Sequence, residues 1–129
     1  MPAIAALTVN DGQTTPVAHT FNPQTTSGAK AVWADRSPSI PAGYRLISHE
    51  VAEPNGNRTV YKITMGFTDP KVATVDGADT VTRYNSAKVE LNVHPSSSLQ
   101  DRKDLLAYVA NSLGLATIKT SVENLEPFY

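Results

Sequence analysis

The sequence predicts an α+β fold in which an antiparallel sheet comes first and two helices follow at the C-terminal end. Three observations point there. Several segments alternate apolar and polar side chains with a period of two, as a half-buried strand requires. Asp11-Gly12 and Asn55-Gly56 lie between such segments and mark hairpins. After His94-Pro95 the apolar period lengthens to that of a helix.

"AALTVN" (5–10), Asp11-Gly12 and "TPVAHTF" read as an N-terminal hairpin, because Asp-Gly tolerates the positive φ of tight turns. "FNPQTTSGAK" is rich in turn residues, and "KAVWAD" (30–35) forms a short strand holding Trp33. "RSPSIPAG", with two prolines, is a loop.

"YRLISHEVAE" (44–53) sets Ile47, His49 and Val51 against Leu46, Ser48, Glu50 and Ala52. "NRTVYKITMGF" (57–67) then sets Tyr61, Ile63, Met65 and Phe67 against Lys62, Thr64 and Gly66, so 44–68 is one long hairpin around Asn55-Gly56. Residues 69–80, "DPKVATVDGADT", read as a loop, since Asp and Gly recur there. In "VTRYNSAKVELNV", Ala87, Val89, Leu91 and Val93 oppose Tyr84, Ser86, Lys88 and Glu90.

Ser98 followed by Asp101 has the spacing of a capping box, and Leu105 or Leu106, Val109 and Leu113 continue the helix that Gly114 stops. A second helix covers 117–125 and ends before Pro127.

Length and charge narrow the function. A chain of 129 residues supports one domain, and 11 basic against 12 acidic residues give a net charge of -1. No global basic field is present, so any polyanion site must be local. The chain has no Cys, which excludes disulfides and thiolate chemistry. No segment reaches the roughly 20 apolar residues of a membrane span, and the N-terminus lacks a basic n-region, so a soluble compartment is expected.

His19, His49 and His94 are scattered without ligand spacing and read as structural. Asp76 and Asp79 read as turn formers in a solvated loop rather than an acid–base pair. No nucleophile elbow or phosphate-cradling glycine motif occurs, so enzymatic readings rank last. One polar strand face remains, with Lys62 and Lys88 for phosphates, Ser48, Thr64 and Asn85 or Ser86 for polar contacts, and Tyr84 for stacking. Single-stranded or looped RNA suits such a face, although a merely solvated sheet would carry a similar pattern.

Several short stretches recur in a known order. Val9-Asn10-Asp11-Gly12, Trp33, then Asn57, Arg58, Tyr61 and Lys62, then "PKVAT" (70–74) and finally Leu125-Glu126-Pro127-Phe128-Tyr129 together resemble the coat proteins of single-stranded RNA bacteriophages, the leviviruses. The resemblance runs nearly end to end. It implies an N-terminal β-hairpin plus a five-stranded antiparallel sheet, two C-terminal helices that cross onto a partner, and an interlocked, obligate homodimer. Dimers of that kind build a quasi-equivalent icosahedral shell, with loop 69–80 varying around its axes.

The resemblance also implies that the open sheet face recognises a genomic RNA hairpin, repressing translation and marking the genome for packaging. The implied RNA-binding residues are Ser48, Glu50, Asn57, Lys62, Thr64, Tyr84, Ser86 and Lys88. Ser48 takes an adenine-pocket position, and Thr64 stands where Lys or Gln is frequent. Ser86 replaces a stacking Tyr that Tyr84 is placed to supply, Lys88 stands where Asn or Asp is common, and Glu50 replaces a Ser. The carboxylate of Glu50 repels phosphate, which alters the expected specificity.

No catalysis, cofactor, metal, membrane or small-molecule substrate is implied. The expected location is the virion capsid after synthesis in the bacterial host cytoplasm. Without Cys, the particle's heat stability should not respond to reductant. A different class, a dimeric β-sheet regulator that binds nucleic acid without assembling, is the alternative, separated by whether particles form.

Overall fold

The computed structural model describes residues 1–129, which form six strands and two helices. The strands are β1 (Leu7–Asn10), β2 (Ala18–Ser27), β3 (Lys30–Asp35), β4 (Arg45–Ala52), β5 (Tyr61–Val75) and β6 (Ala78–Val93). They make a single antiparallel sheet in chain order. Helices α1 (Leu99–Leu113) and α2 (Ala116–Asn124) follow. Contacts divide the chain into a sheet unit, residues 1–92, and a helical unit, residues 93–129.

The N-terminal hairpin and the main sheet share β2. Its first four residues pair with β1, from Ala18 opposite Asn10 to Phe21 opposite Leu7, and Asn22 to Ser27 pair with β3. "FNPQTTS" is therefore strand, against the turn expected there. Pro23 misled because it has no N–H to offer a ladder, but it sits where the register slips between Pro23 and Thr25, on a stretch paired only to β3. The turn itself is confined to Gly28, at φ +56°, and Ala29.

A second correction concerns residues 69–80. They are not a loop but the distal arms of β5 and β6, joined by the two-residue turn Asp76-Gly77. Both turn residues have positive φ, 49° and 79°, the conformation that matches the twist of paired strands. Asp and Gly marked this tight turn, and the small residues around it are strand. Asp79 belongs to the strand and accepts hydrogen bonds from Ser39 Oγ at 2.5 Å and Thr74 Oγ1 at 2.8 Å. Those two hydroxyls hold its carboxyl below the usual carboxylate range.

At the other end of the sheet, the Asn55-Gly56 signal is displaced by one residue. Asn55 and Arg58 exchange backbone hydrogen bonds, each 3.1 Å, so Gly56 and Asn57 are the central pair. Gly56, at φ +59°, takes the first central position, where only a glycine sits without strain.

A short 3-10 turn, Pro41–Gly43, packs on β5. Gly43 is buried, and a Cβ there would lie 2.2 Å from Val72 Cγ2 and 3.3 Å from Pro38 Cβ. Gly43→Ala is accordingly expected to destabilise the fold by about 1–3 kcal/mol in denaturant unfolding, the usual cost of overpacking. An unchanged midpoint would show that the turn moves away freely.

One side of the sheet unit carries a chain of charges between β1–β2 and β3–β5. His19 places Nε2 3.1 Å from Asp11 Oδ2 and Nδ1 3.4 Å from Asp35 Oδ2. Arg45 reaches Asp35 Oδ2 at 2.8 Å and Asp69 Oδ1 at 3.2 Å, and Lys71 reaches Asp69 Oδ2 at 2.8 Å. Asp35 is only 3% exposed. Burial, the largest single influence, raises its pKa, but hydrogen bonds from Ser37 and the Arg45 guanidinium outweigh it and hold it below the usual range.

The helical unit is capped as its sequence requires. Ser98 accepts from the Asp101 amide at 3.1 Å, and Asp101 accepts from the Ser98 amide at 3.0 Å, a complete capping box. Leu105 and Val109 are half-buried, whereas Leu99, Leu106 and Leu113, seven residues apart, are 60%, 57% and 57% exposed. Neither helix contains a buried residue.

Candidate nucleic-acid interface

Strand register determines which side chains share a face, because directly paired residues in an antiparallel sheet point the same way. Ser48 pairs with Val32 on β3 and with Gly66 on β5, and Glu50 pairs with Lys30 and with Thr64. Ala52 pairs with Lys62. Lys30, Val32, Ser48, Glu50, Lys62, Thr64 and Gly66 thus lie on one side. Ile47, paired with Phe67, and His49, paired with Met65, lie on the other.

The polar side encloses a hollow of about 490 Å³ lined by Lys30, Val32, Leu46, Ser48, Thr64, Gly66, Thr68, Ser86 and Lys88. Gly66 keeps it open. A Cβ at Gly66 would stand 2.7 Å from Ser48 Oγ, so even an alanine would make the hydroxyl turn away. The absence of bulk at Gly66, opposite Ser48, is what leaves room between the lysines.

Another hollow, about 540 Å³, lies by Asp11, His19, Arg45, Asp69 and Lys71. Its cations are already engaged by its own carboxylates. On the strand face, by contrast, Lys30 makes no ion pair, and polar groups converge beside it.

Of the eight residues expected to bind RNA, the structure brings together Ser48, Thr64, Ser86 and Lys88 in the hollow. Glu50 stands on the same face between Lys30 and Thr64, and Lys62 adjoins them along β5. Tyr84 is on β6 and 64% exposed, outside the hollow lining. Asn57 lies in the exposed turn beyond the last ladder pair, away from this group.

Lys62 and Lys88 are not free cations. Glu90 Oε2 lies 3.2 Å from Lys62 Nζ and 3.9 Å from Lys88 Nζ. The hydrogen bond from Lys62 is the main reason the Glu90 carboxyl sits below its usual pKa. Any anion approaching either lysine would have to compete with Glu90.

Sequence reasoning passed over Lys30 and Glu90 as site residues. Lys30 opens the Trp33 strand, and alternation alone puts it on the side opposite Ala31 and Trp33. Which side of β4 and β5 that matched became visible only through register. Glu90 stood on the polar side of its strand, but its distance to Lys62 is a cross-strand property.

Comparison with known proteins agrees with this architecture. A family model described as "Levivirus coat protein" matches residues 2–129. The capsid protein of Enterobacteria phage SP is 29% identical over 92 residues, 70% of each chain. The structure is similar to that of the virus-like particle of bacteriophage NT-214, with TM-score 0.87 and 29% identity over 99% of this chain and 100% of the other. The virus-like particle of bacteriophage ESE058 is similar too, with TM-score 0.86 and 27% identity over 99% and 100% of the two chains.

Proposed function

The chain belongs to the levivirus coat protein family, and from that premise we propose that it dimerises through its helices, assembles into an icosahedral shell, and binds genomic RNA on the polar face of β3–β6. Similar chains form the virus-like particles of bacteriophages NT-214 and ESE058, which supports self-assembly here. The observation that carries the RNA role is the two-sidedness of the sheet. One face presents Lys30 and Lys88 around a hollow with hydroxyls, with Lys62 beside it, and the other presents Ile47, Met65 and Phe67, its Arg45 and Lys71 being held by Asp35 and Asp69.

The helices support the dimer. Leu99, Leu106 and Leu113 form a stripe down α1 that the single chain leaves exposed, and Val122 on α2 is 66% exposed. Contiguous apolar surface of this kind marks an interaction site, and a second copy of the chain is the occupant. Such a dimer is obligate, since each chain's helical stripe needs the other's.

RNA binding then has defined residue roles. Lys62 and Lys88 exchange Glu90 for phosphates, Ser48 and Thr64 hydrogen-bond a base in the hollow, and Tyr84 stacks on a neighbouring base. A genomic hairpin bound there serves as translational operator and packaging signal.

A gel shift with hairpins from the cognate genome, repeated over a salt series, tests this reading. Lys62→Ala and Lys88→Ala are each expected to weaken binding and to flatten the slope of log K against log salt by about 0.7–0.9, one phosphate contact each. Unchanged affinity and slope in both variants would move the RNA site elsewhere.

A further inference from the structure

Two carboxylates stand on the basic strand face, and they are not equivalent. Glu90 is held between Lys62 and Lys88, at 3.2 Å and 3.9 Å. Glu50 is exposed, and the ion pairs of this face all go to Glu90 instead. Across the ladder Glu50 directly opposes Lys30, which lines the hollow. Side chains so paired start from Cβ atoms about 5 Å apart. The pair forms a juxtaposed anion and cation that face outward side by side without closing on each other.

A free carboxylate among phosphate-binding lysines opposes RNA unless it meets donors. It offers two oxygens, side by side and acceptor-only. Among the four bases only guanine presents two adjacent N–H donors on its Watson–Crick edge, N1–H and N2–H. On adenine and cytosine an acceptor ring nitrogen adjoins the amino group, and on uracil two carbonyls flank the single N–H. Each of those three would point a lone pair at the second carboxylate oxygen. Guanine continues the same edge with O6, an acceptor that suits a lysine ammonium.

Building on the RNA-binding reading above, we propose that the Lys30–Glu50 pair reads an unpaired guanine in the bound RNA. Glu50 accepts from N1–H and N2–H, and Lys30 donates to O6. Ser48 and Thr64, the neighbours of Glu50 along and across the strands, sit beside the base. Glu50 is then a specificity residue. Its negative charge lowers affinity for generic RNA, and the guanine contact restores affinity only for the right loop.

The test uses the full-length protein and a pool of RNA hairpins with one fixed stem and randomised loops. The enriched loops are expected to share an unpaired G. Replacing it with inosine, which lacks the N2 amino group, should weaken binding severalfold, and replacing it with A or U should weaken it by roughly tenfold or more. In Glu50→Gln, which removes the charge and keeps the shape, the G-over-A preference should collapse while overall RNA affinity rises. Lys30→Met should reduce the same preference.

Three outcomes overturn the inference, and the third is distinguishable from the other two. If Glu50→Gln keeps the guanine preference and only binds everything more tightly, Glu50 is a phosphate-repelling residue and the RNA-binding reading stands without this contact. Enriched loops without guanine have the same meaning. If no hairpin in the pool binds the protein detectably even at low salt, the RNA-binding reading falls as well.

Discussion

Leu106→Asp is expected to abolish particles altogether, with size-exclusion chromatography and negative-stain microscopy showing no assembled shells. Leu106 is 57% exposed in the single chain and midway along the Leu99–Leu106–Leu113 stripe of α1, so the substitution removes little packing within that chain. In the proposed dimer its main effect arises where the partner covers the stripe. A carboxylate there is desolvated without a counter-charge, at a cost of several kcal/mol per subunit, and a symmetric interface suffers it twice. Leu106→Ala should reduce assembly less, because it removes area without burying charge. Full particle yield from Leu106→Asp would show that the dimer is not built on this face of α1.

Arg45→Ala is expected to cost about 3 kcal/mol of stability, the low end for a broken buried pair because Arg45 is itself partly exposed. Its guanidinium reaches both Asp35 and Asp69, at 2.8 Å and 3.2 Å, and its loss leaves Asp35, 3% exposed, with a weakened set of partners. Arg45→Lys should recover only part of the loss, since a point ammonium cannot reach two carboxylates as a planar fork does. The cost should shrink at low pH, where Asp35 becomes neutral and no longer needs a cation. A loss that does not change with pH would assign the effect to packing of the Arg45 stem.

Acid should weaken the wild-type fold for a related reason. The pKa values of Asp11, Asp35, Asp79, Glu90 and Asp101 are all lowered in the folded chain, by hydrogen-bond donors or cations. A depressed folded pKa contributes stability that is present above the unfolded value, roughly pH 4, and is lost as pH falls through the folded one. Denaturant midpoints should therefore hold above pH 5 and fall steadily below pH 4. A midpoint that rises on acidification would contradict the hydrogen bonding at Asp35 and Asp79.

Much of the fold was legible before any coordinates. Alternation through 57–67 placed Tyr61, Ile63, Met65 and Phe67 on one side and Lys62, Thr64 and Gly66 on the other, and paired strands preserve that division. Ser98 and Asp101 located the start of α1 because a capping box is a local arrangement, decided within four residues. The order of short stretches from Val9 to Tyr129 was enough to indicate the family.

Errors arose where one residue type serves two purposes. Pro23 and the Asp76-Gly77 pair both look like loop signals along the chain, yet a bulge tolerates the first and a two-residue hairpin demands the second. Composition counts turn formers without saying how many residues a turn consumes. The resemblance alone places Asn57 among the RNA-binding residues; the structure sets it in the turn where the chain reverses, at Gly56 and Asn57, and no local pattern shows how far that turn stands from the hollow.

The sequence by itself determined the succession of strands and helices and the two-sided character of the strands, because each depends on side chains near one another along the chain, and it determined the family, because that rests on the order of short stretches alone. Only the tertiary structure decided that Glu90 restrains Lys62 and Lys88, that Gly66 opens a hollow against Ser48, and that Glu50 stands opposite Lys30. These depend on strand register, and a shift of one residue would turn every such side chain to the opposite face. Register follows from which apolar residues the whole sheet buries and how tightly each turn closes, and no single segment specifies that alone.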